Sequence, residues 1–395
     1  MRDGNDVSFN PVLALINVLG LGAAMALPLL RVAPNRLVSG DPVYLAELLQ
    51  TSLGDLFPGG WVVFMVAAMA AAIFGSTRRW VHWGVVGIAA AWMATLVWLA
   101  GYHASAIALT ESPLARTALG AGFWTLIALS WLLCLDAVDR LQIGFLSRMV
   151  LLASVVVPMA IVVGRGYGDE LSIMKEYANR SDVFASAVLR HLQIVATAIV
   201  PTVLVGLPLA WAAYRHARVR SLLFPFLNLV QTIPSIALFG LFMAPLAWMA
   251  ASYPVLGRAG IRGVGLAPAV LALFLYSLLP VVRSAVAGLQ QVPGAVKTAA
   301  RGMGMGAVTI FWRVEVPLAL PVLLLGLRAA VVQTIGLAAV TALVGAGGLG
   351  SLMFEGLFSG ANELVLLGVV PIVVLAVLAD GVFKALSAVL KGPAA

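Results

Sequence analysis

The run from Pro317 to Val344, PLALPVLLLGLRAAVVQTIGLAAVTALV, holds one charged residue, Arg328. An apolar helix of about twenty residues crosses the ~30 Å hydrocarbon core of a bilayer at 1.5 Å rise per residue, so a run of this length and purity has few places to go in water. Comparable spans recur along the chain: Pro11 to Leu30, Gly60 to Gly75, Trp80 to Gly101, Gly122 to Val138, Gly144 to Gly164, Ala187 to Tyr214, Leu222 to Ala250, Leu266 to Leu289 and Leu364 to Leu390. They predict an all-α polytopic membrane protein with about ten transmembrane helices. Composition agrees, with 62% hydrophobic and 10% charged residues where an average soluble domain has about 25% charged. The first span is longer than the apolar core of a signal peptide and reads as a retained helix.

The formal net charge of +8 does not point to nucleic acid, because the basic residues fall in short clusters between apolar spans, as orientation signals do. Arg78 and Arg79, then Arg140 and Arg148, then Arg215, Arg218 and Arg220, then the segment around Lys297, then Lys391 fall on alternate sides of successive spans. Asp41, Glu47, Asp55, Glu111, Asp169, Glu170, Glu176 and Asp182 lie in the opposite set. This pattern predicts a cytoplasmic-membrane protein with both termini inside. The polar stretch Arg165 to Phe184 separates residues 1–183, an extension with about five spans, from a second half, residues 184–391, with about five more. The single cysteine, Cys134, excludes a disulfide framework or a Cys-based metal site within one chain.

Between two apolar spans lies Gln291 to Pro321, QVPGAVKTAARGMGMGAVTIFWRVEVPLALP, too long for a simple connection. Pro293 and Gly294 open a short helix over Ala295 to Arg301, and Gly302, Gly304 and Gly306 close it. Outward Ala299 and Ala300 would leave a face of small side chains on which another protein's groove can approach the backbone closely. The competing reading is an ordinary cytoplasmic loop.

Thr298-Ala299-Ala300, then Gly304, then Val314-Glu315-Val316-Pro317 resemble the EAA loop of bacterial ABC-importer permeases, with Thr298 where the family carries glutamate. R-G-M-G from Arg301 and W-R-V-E-V-P-L-A-L-P from Trp312 resemble the branch that imports osmoprotectants such as glycine betaine. So do L-N-L-V-Q-T-I-P-S at Leu227 to Ser235, F-L-Y-S-L-L-P-V-V-R at Phe274 to Arg283 and A-L-V-G-A-G-G-L-G at Ala342 to Gly350. The first half resembles only the extended osmoprotectant permeases of the Yeh type, through A-P-N-R-L-V-S-G at Ala33 and L-S-I-M-K-E-Y-A-N-R at Leu171. The resemblance implies a type I importer transmembrane fold for the second half. It also implies a coupling loop, 290–317, in which Thr298, Ala299, Ala300, Arg301, Gly304, Val314 and Pro317 meet an ATPase subunit. The implied partners are two ATPase subunits, a second permease subunit of the same or a different chain, and an external substrate-binding protein.

No chemistry of the chain's own is apparent. Only Lys297 among four lysines precedes Ser or Thr, and Val296 stands where a phosphate-binding loop requires glycine. Gly345, Gly347 and Gly350 match G-x-G-x-x-G but follow an apolar span instead of a strand, so they read as a tight turn, a re-entrant segment or a close helix contact. No catalytic residue, metal site or cofactor is expected. Polar groups inside spans are the pathway candidates, because lipid disfavours them. Asn228, Gln231, Thr232 and Ser235 surround Pro234, a kink that either lines a pathway or is structural. Gln333 and Thr334 lie beyond Arg328 on the last long span before the glycine turn; Arg328 reads as structural, and Asp380 with Lys384 as an i,i+4 pair. The expected function is the permease subunit of an importer for an osmoprotectant. The alternatives are a stand-alone secondary transporter, which would need inverted repeats and intramembrane carboxylates, or an importer permease for another small solute such as an amino acid.

Overall fold

The computed structural model describes residues 11–35, 38, 40–52, 79–110 and 114–391. The chain divides into two compact units, Met1–Asn179 and Arg180–Ala395. Eight of the helices among the described residues are long and apolar enough to cross a membrane; the helix from Pro11 is shorter. The expected span Gly60 to Gly75 lies outside the described residues.

In the first unit, α1 (Pro11–Ala26) stops short of the expected Leu30, just before Leu27 and Pro28. The chain then turns into a small antiparallel sheet that the apolar pattern did not announce. Strand β1 (Leu30–Ala33) lies between β2 (Asp41–Val43) and β3 (Arg116–Leu119). A short helix α2 (Leu45–Ser52) precedes the long α3 (Arg79–Thr110), followed by α4 (Ala121–Arg140), α5 (Phe145–Gly164) and α6 (Ser172–Asn179). Helix α3 is the centre of this unit, burying Trp92, Leu96, Leu99 and Ala100 in one cluster with Phe123 and Leu126 of α4, Leu29 before the sheet and Leu30 of β1.

The second unit opens with α7 (Ser181–Arg215). The expected continuous span Leu222 to Ala250 is two helices, α8 (Ala217–Thr232) and α9 (Ser235–Ser252). Pro234 has no N–H to give and pushes its predecessor out of the helical region; Ile233 sits at φ −74°, ψ 128°. After the short α10 (Pro254–Arg258) come α11 (Leu266–Gln291), α12 (Gly294–Gly302) and α13 (Ala307–Ile310). One wide turn of π-helix, Phe311–Glu315, leads into α14 (Val316–Val340). A 3₁₀ turn, Thr341–Val344, then α15 (Leu349–Ser359) and α16 (Asn362–Lys391) complete the chain.

Helix α11 is the hub, packed against α7 on one side and α14 on the other. The α11–α14 seam is close because its residues are small: a Cβ added to Gly326 would stand 2.4 Å from the Ser284 side chain and 2.5 Å from the Pro280 carbonyl oxygen. Across the same seam the hydroxyls of Ser277 and Thr334 lie 2.7 Å apart, one donating to the other and the acceptor donating to its own helix's carbonyl four residues back. Small residues and hydroxyls of this kind hold helices together where no hydrophobic force distinguishes a neighbour from lipid. The glycine-rich stretch forms a tight turn with left-handed backbone at Gly345, Gly347 and Gly348, followed by α15, which the sequence reading did not anticipate. The turn is held to α7 by Arg190, whose Nε donates to the Ala346 carbonyl at 2.9 Å.

Candidate functional site

Helix α12 forms where the residues predict it. Pro293 is its extended N-cap, and the seven residues from Ala295 to Arg301 have no helix breaker among them. Its end is a Schellman closure: Gly304 N–H donates to the Arg301 carbonyl at 2.9 Å and Met305 N–H to the Ala300 carbonyl at 3.2 Å. That closure needs a left-handed residue, and Gly304 supplies it at φ +79°.

The face that α12 presents differs from the expectation in one respect. Ala299 is exposed, but Ala300 is buried at 2% exposure and packs inward, one helical step away from its neighbour. Thr298 and Arg301 are exposed beside Ala299, and Val296 and Met303 add exposed apolar area, so the free surface is not made of small side chains alone. Val314 is half-buried in the π-turn and Pro317 is exposed in the first turn of α14.

Lys297, on the inner side of α12, ties the segment to the bundle. Its Nζ donates to the Tyr214 hydroxyl at 2.9 Å, sits 5.5 Å from the centre of that ring, and lies 3.6 Å from a Glu315 carboxylate oxygen. Glu315 is buried, and its Oε2 has no hydrogen-bond partner. The Tyr214 hydrogen bond, and after it the Glu315 charge, raise the Lys297 pKa against the opposing effect of burial. A raised lysine pKa means that the link is complete below the ordinary lysine range and is lost only as pH rises through the raised value, so the cation persists at any physiological pH. Beside it an apolar cavity of about 490 Å³ is lined by Leu207, Trp211, Phe311, Trp312 and Leu323, with Arg215 at its polar margin.

The polar groups expected to line a pathway divide into two sets. At the α8–α9 break, Gln231 Nε2 donates to the Tyr276 carbonyl at 2.6 Å, and the Tyr276 hydroxyl donates back to the Ile233 carbonyl. Both acceptors are carbonyls that prolines have set free: Pro280, four residues after Tyr276, has no N–H for it, and the break at Pro234 leaves Ile233 without a helical donor. Thr232 is exposed and bonded to the Leu229 carbonyl, Ser235 is half-buried and Pro234 exposed. Asn228 is exposed, and its Oδ1 accepts from Arg283 Nη2 at 2.8 Å.

On α14 the expectation fails for Thr334, which is 1% exposed and locked in the α11–α14 seam, while Gln333 beside it is half-buried. Burial there follows from the small residues that bring the two helices into contact. Arg328 pairs with Asp380 of α16, and Lys384 Nζ lies 2.8 Å from the same carboxylate. Tyr276 and Arg283 were not singled out from sequence, although a guanidinium eight residues inside an apolar helix, three after a proline, was the available signal.

Comparison with known proteins gives the arrangement its context. Residues 9–174 match the N-terminal domain of the ABC transporter permease YehY, and residues 202–391 match the binding-protein-dependent transport system inner membrane component. The osmoprotectant import permease protein OsmW of Salmonella typhimurium is 40% identical over 210 residues, 52% of this chain and 91% of that protein. The glycine betaine/carnitine/choline transport system permease protein OpuCB of Bacillus subtilis is 34% identical over 190 residues, 48% of this chain and 80% of that protein. Among solved structures, a chain of the MetNI methionine ABC transporter in an inward-facing conformation is 21% identical with a TM-score of 0.47, covering 54% of this chain and 98% of that one. With apolar helices throughout the described residues, a matched transport domain and a relative spanned almost end to end, the chain belongs to the permease family of ABC importers, as a multi-pass protein of the inner membrane.

Proposed function

We propose that this chain forms the translocation pathway of an ATP-driven importer for an osmoprotectant such as glycine betaine or choline, and that it borrows its energy from separate ATPase subunits. The observation that carries the reading is α12: a short exposed helix, closed by the Gly304 turn and fixed to the bundle through Lys297, Tyr214 and Glu315. A helix held this way transmits a push from an ATPase into α11 and α14, which flank it in the chain, and rocks the bundle between outward- and inward-open states. Thr298, Ala299, Arg301 and Gly304 form the seat for the ATPase, and Ala300, Val314 and Pro317 support it from behind. Asn228, Gln231, Thr232, Pro234, Ser235 and Gln333 belong to the pathway or its gate; Thr334 stabilises the seam behind it.

The remaining assignments follow the same reading. Residues 1–183 are a membrane extension of about five spans and 184–391 the permease core, with both termini in the cytoplasm. A second permease subunit, the same chain or a related one, completes the pathway, and an external binding protein selects the solute. The alternative of a stand-alone secondary transporter lacks support, since the acids within spans, Asp136 and Asp380, are each paired with a base on the described residues.

The test is to purify the subunit from native membranes, identify what accompanies it, and measure uptake of labelled betaine, choline and methionine by vesicles containing the whole complex. ATPase subunits and a binding protein should copurify, and ATP-dependent uptake of betaine or choline should appear. Uptake of methionine alone would overturn the solute, and an Ala299→Asp variant with wild-type ATPase binding and uptake would overturn the role of α12.

A further inference from the structure

Arg283 lies within an apolar span of the second unit, α11, and has no charged partner among the described residues. Helix α11 runs eight residues beyond it, about 12 Å at helical rise, before reaching the coupling segment. Its side chain is exposed on the unit, and so is that of its partner Asn228, eleven residues into α8. Among the described residues no carboxylate lies within ion-pair distance of it. The amide oxygen of Asn228 accepts one of five guanidinium N–H donors at 2.8 Å and aims the group, but brings no charge to answer it.

A charged group at this depth does not face lipid; it faces a water-filled path or another polypeptide. The planar fork of donors matches a carboxylate in two parallel hydrogen bonds. We propose that Arg283, aimed by Asn228, is a carboxylate-binding station in the inner half of the pathway, serving solutes that are zwitterions of a quaternary ammonium and a carboxylate. The proposal rests on the reading of the chain as an osmoprotectant permease subunit. It adds a distinction which that reading lacks: a quaternary amine without a carboxylate gains nothing from Arg283 and is repelled by it, so the residue separates betaine-type solutes from choline-type ones.

The experiment uses the complete transporter in proteoliposomes with saturating binding protein, and measures ATP-dependent uptake of labelled glycine betaine and choline for the wild type, Arg283→Gln and Arg283→Lys. The expected result is a loss of betaine uptake on the order of tenfold in Arg283→Gln, the scale of one charge-assisted contact, with choline uptake kept or raised. Arg283→Lys, which keeps the charge without the fork, should fall between. Retained choline uptake also shows that the variants are folded. Equal loss of both solutes, the outcome expected if a carboxylate of the second permease subunit answers Arg283, overturns the proposal, as does no loss of either. A second arm places a cysteine at this position, Arg283→Cys in a Cys134→Ala background, and treats it with a membrane-impermeant thiol reagent from each side. Labelling is expected from one side, because the position faces a water-filled path; an unlabelled cysteine overturns the site whatever the solute. A wild-type complex that moves neither solute overturns the functional reading itself, a result distinct from either failure of the site.

Discussion

Two seams of the second unit each carry an arginine inside an apolar helix, and they treat it differently. Where α14 meets α16, Arg328 is paired with Asp380, whose second oxygen takes Lys384. Where α8 meets α11, Arg283 has only the neutral Asn228. The first seam answers its arginine with a carboxylate of the same chain and so works as a brace between helices. The second leaves a positive charge open, and in a membrane an open charge identifies the face that meets water, solute or another subunit.

The sharpest way to break this contrast is to open the closed seam. Asp380→Asn leaves Arg328 and Lys384 without an acid, and removing one partner of a fully buried pair costs about 3–5 kcal/mol. Because Asp380 keeps 26% of its side-chain exposure, a discounted loss of about 2 kcal/mol is expected, read as a lower melting temperature of the purified complex in detergent. Recovery on exchanging the two residues, Arg328→Asp with Asp380→Arg, would sharpen the contrast; wild-type melting of Asp380→Asn would dissolve it.

The α8–α11 seam has its own closed element in the reciprocal bonds of Gln231, Tyr276 and Ile233. Tyr276→Phe strands the Ile233 carbonyl at the break while keeping the ring, and is expected to cost about 1 kcal/mol. Hydrogen exchange at residues 233–238 should quicken with it. Unchanged exchange there would mean that Pro234 holds the break open without help.

The smallest effect belongs to Lys384→Ala. Its side chain is 46% exposed and Arg328 still answers Asp380, so the loss should stay within about 0.5 kcal/mol, as for other i,i+4 pairs at accessible positions. A melting shift as large as that of Asp380→Asn would show that the lysine, not the arginine, is the brace.

Much of the fold was legible because the signals are local. The long apolar runs give the helices, Pro293 and Gly304 bound α12, and Pro234 marks the place of the α8–α9 break, though the sequence pattern reads it as a kink within one span. Four features were not. The small sheet is made of three or four residues per strand drawn from distant segments, and α15 has only eleven residues, too few for a hydropathy pattern to separate from a turn. The orientation of Ala300 against Ala299 depends on what α12 rests upon, and Lys297 finds its partner Tyr214 83 residues earlier in the chain.

The candidate site divides along the same line. Sequence by itself determined that polar side chains stand inside apolar helices at Asn228, Gln231, Arg328, Thr334 and Asp380, since lipid's aversion to them is a property of each residue. Tertiary structure alone decided which of them are answered: Thr334 by Ser277 57 residues away, Arg328 by Asp380 52 residues away, Gln231 by the carbonyl that Pro280 frees in α11. Arg283 is left with half an answer, because whether a charge is neutralised depends on what packs within a few ångströms of it, and no period or spacing in the chain encodes that distance.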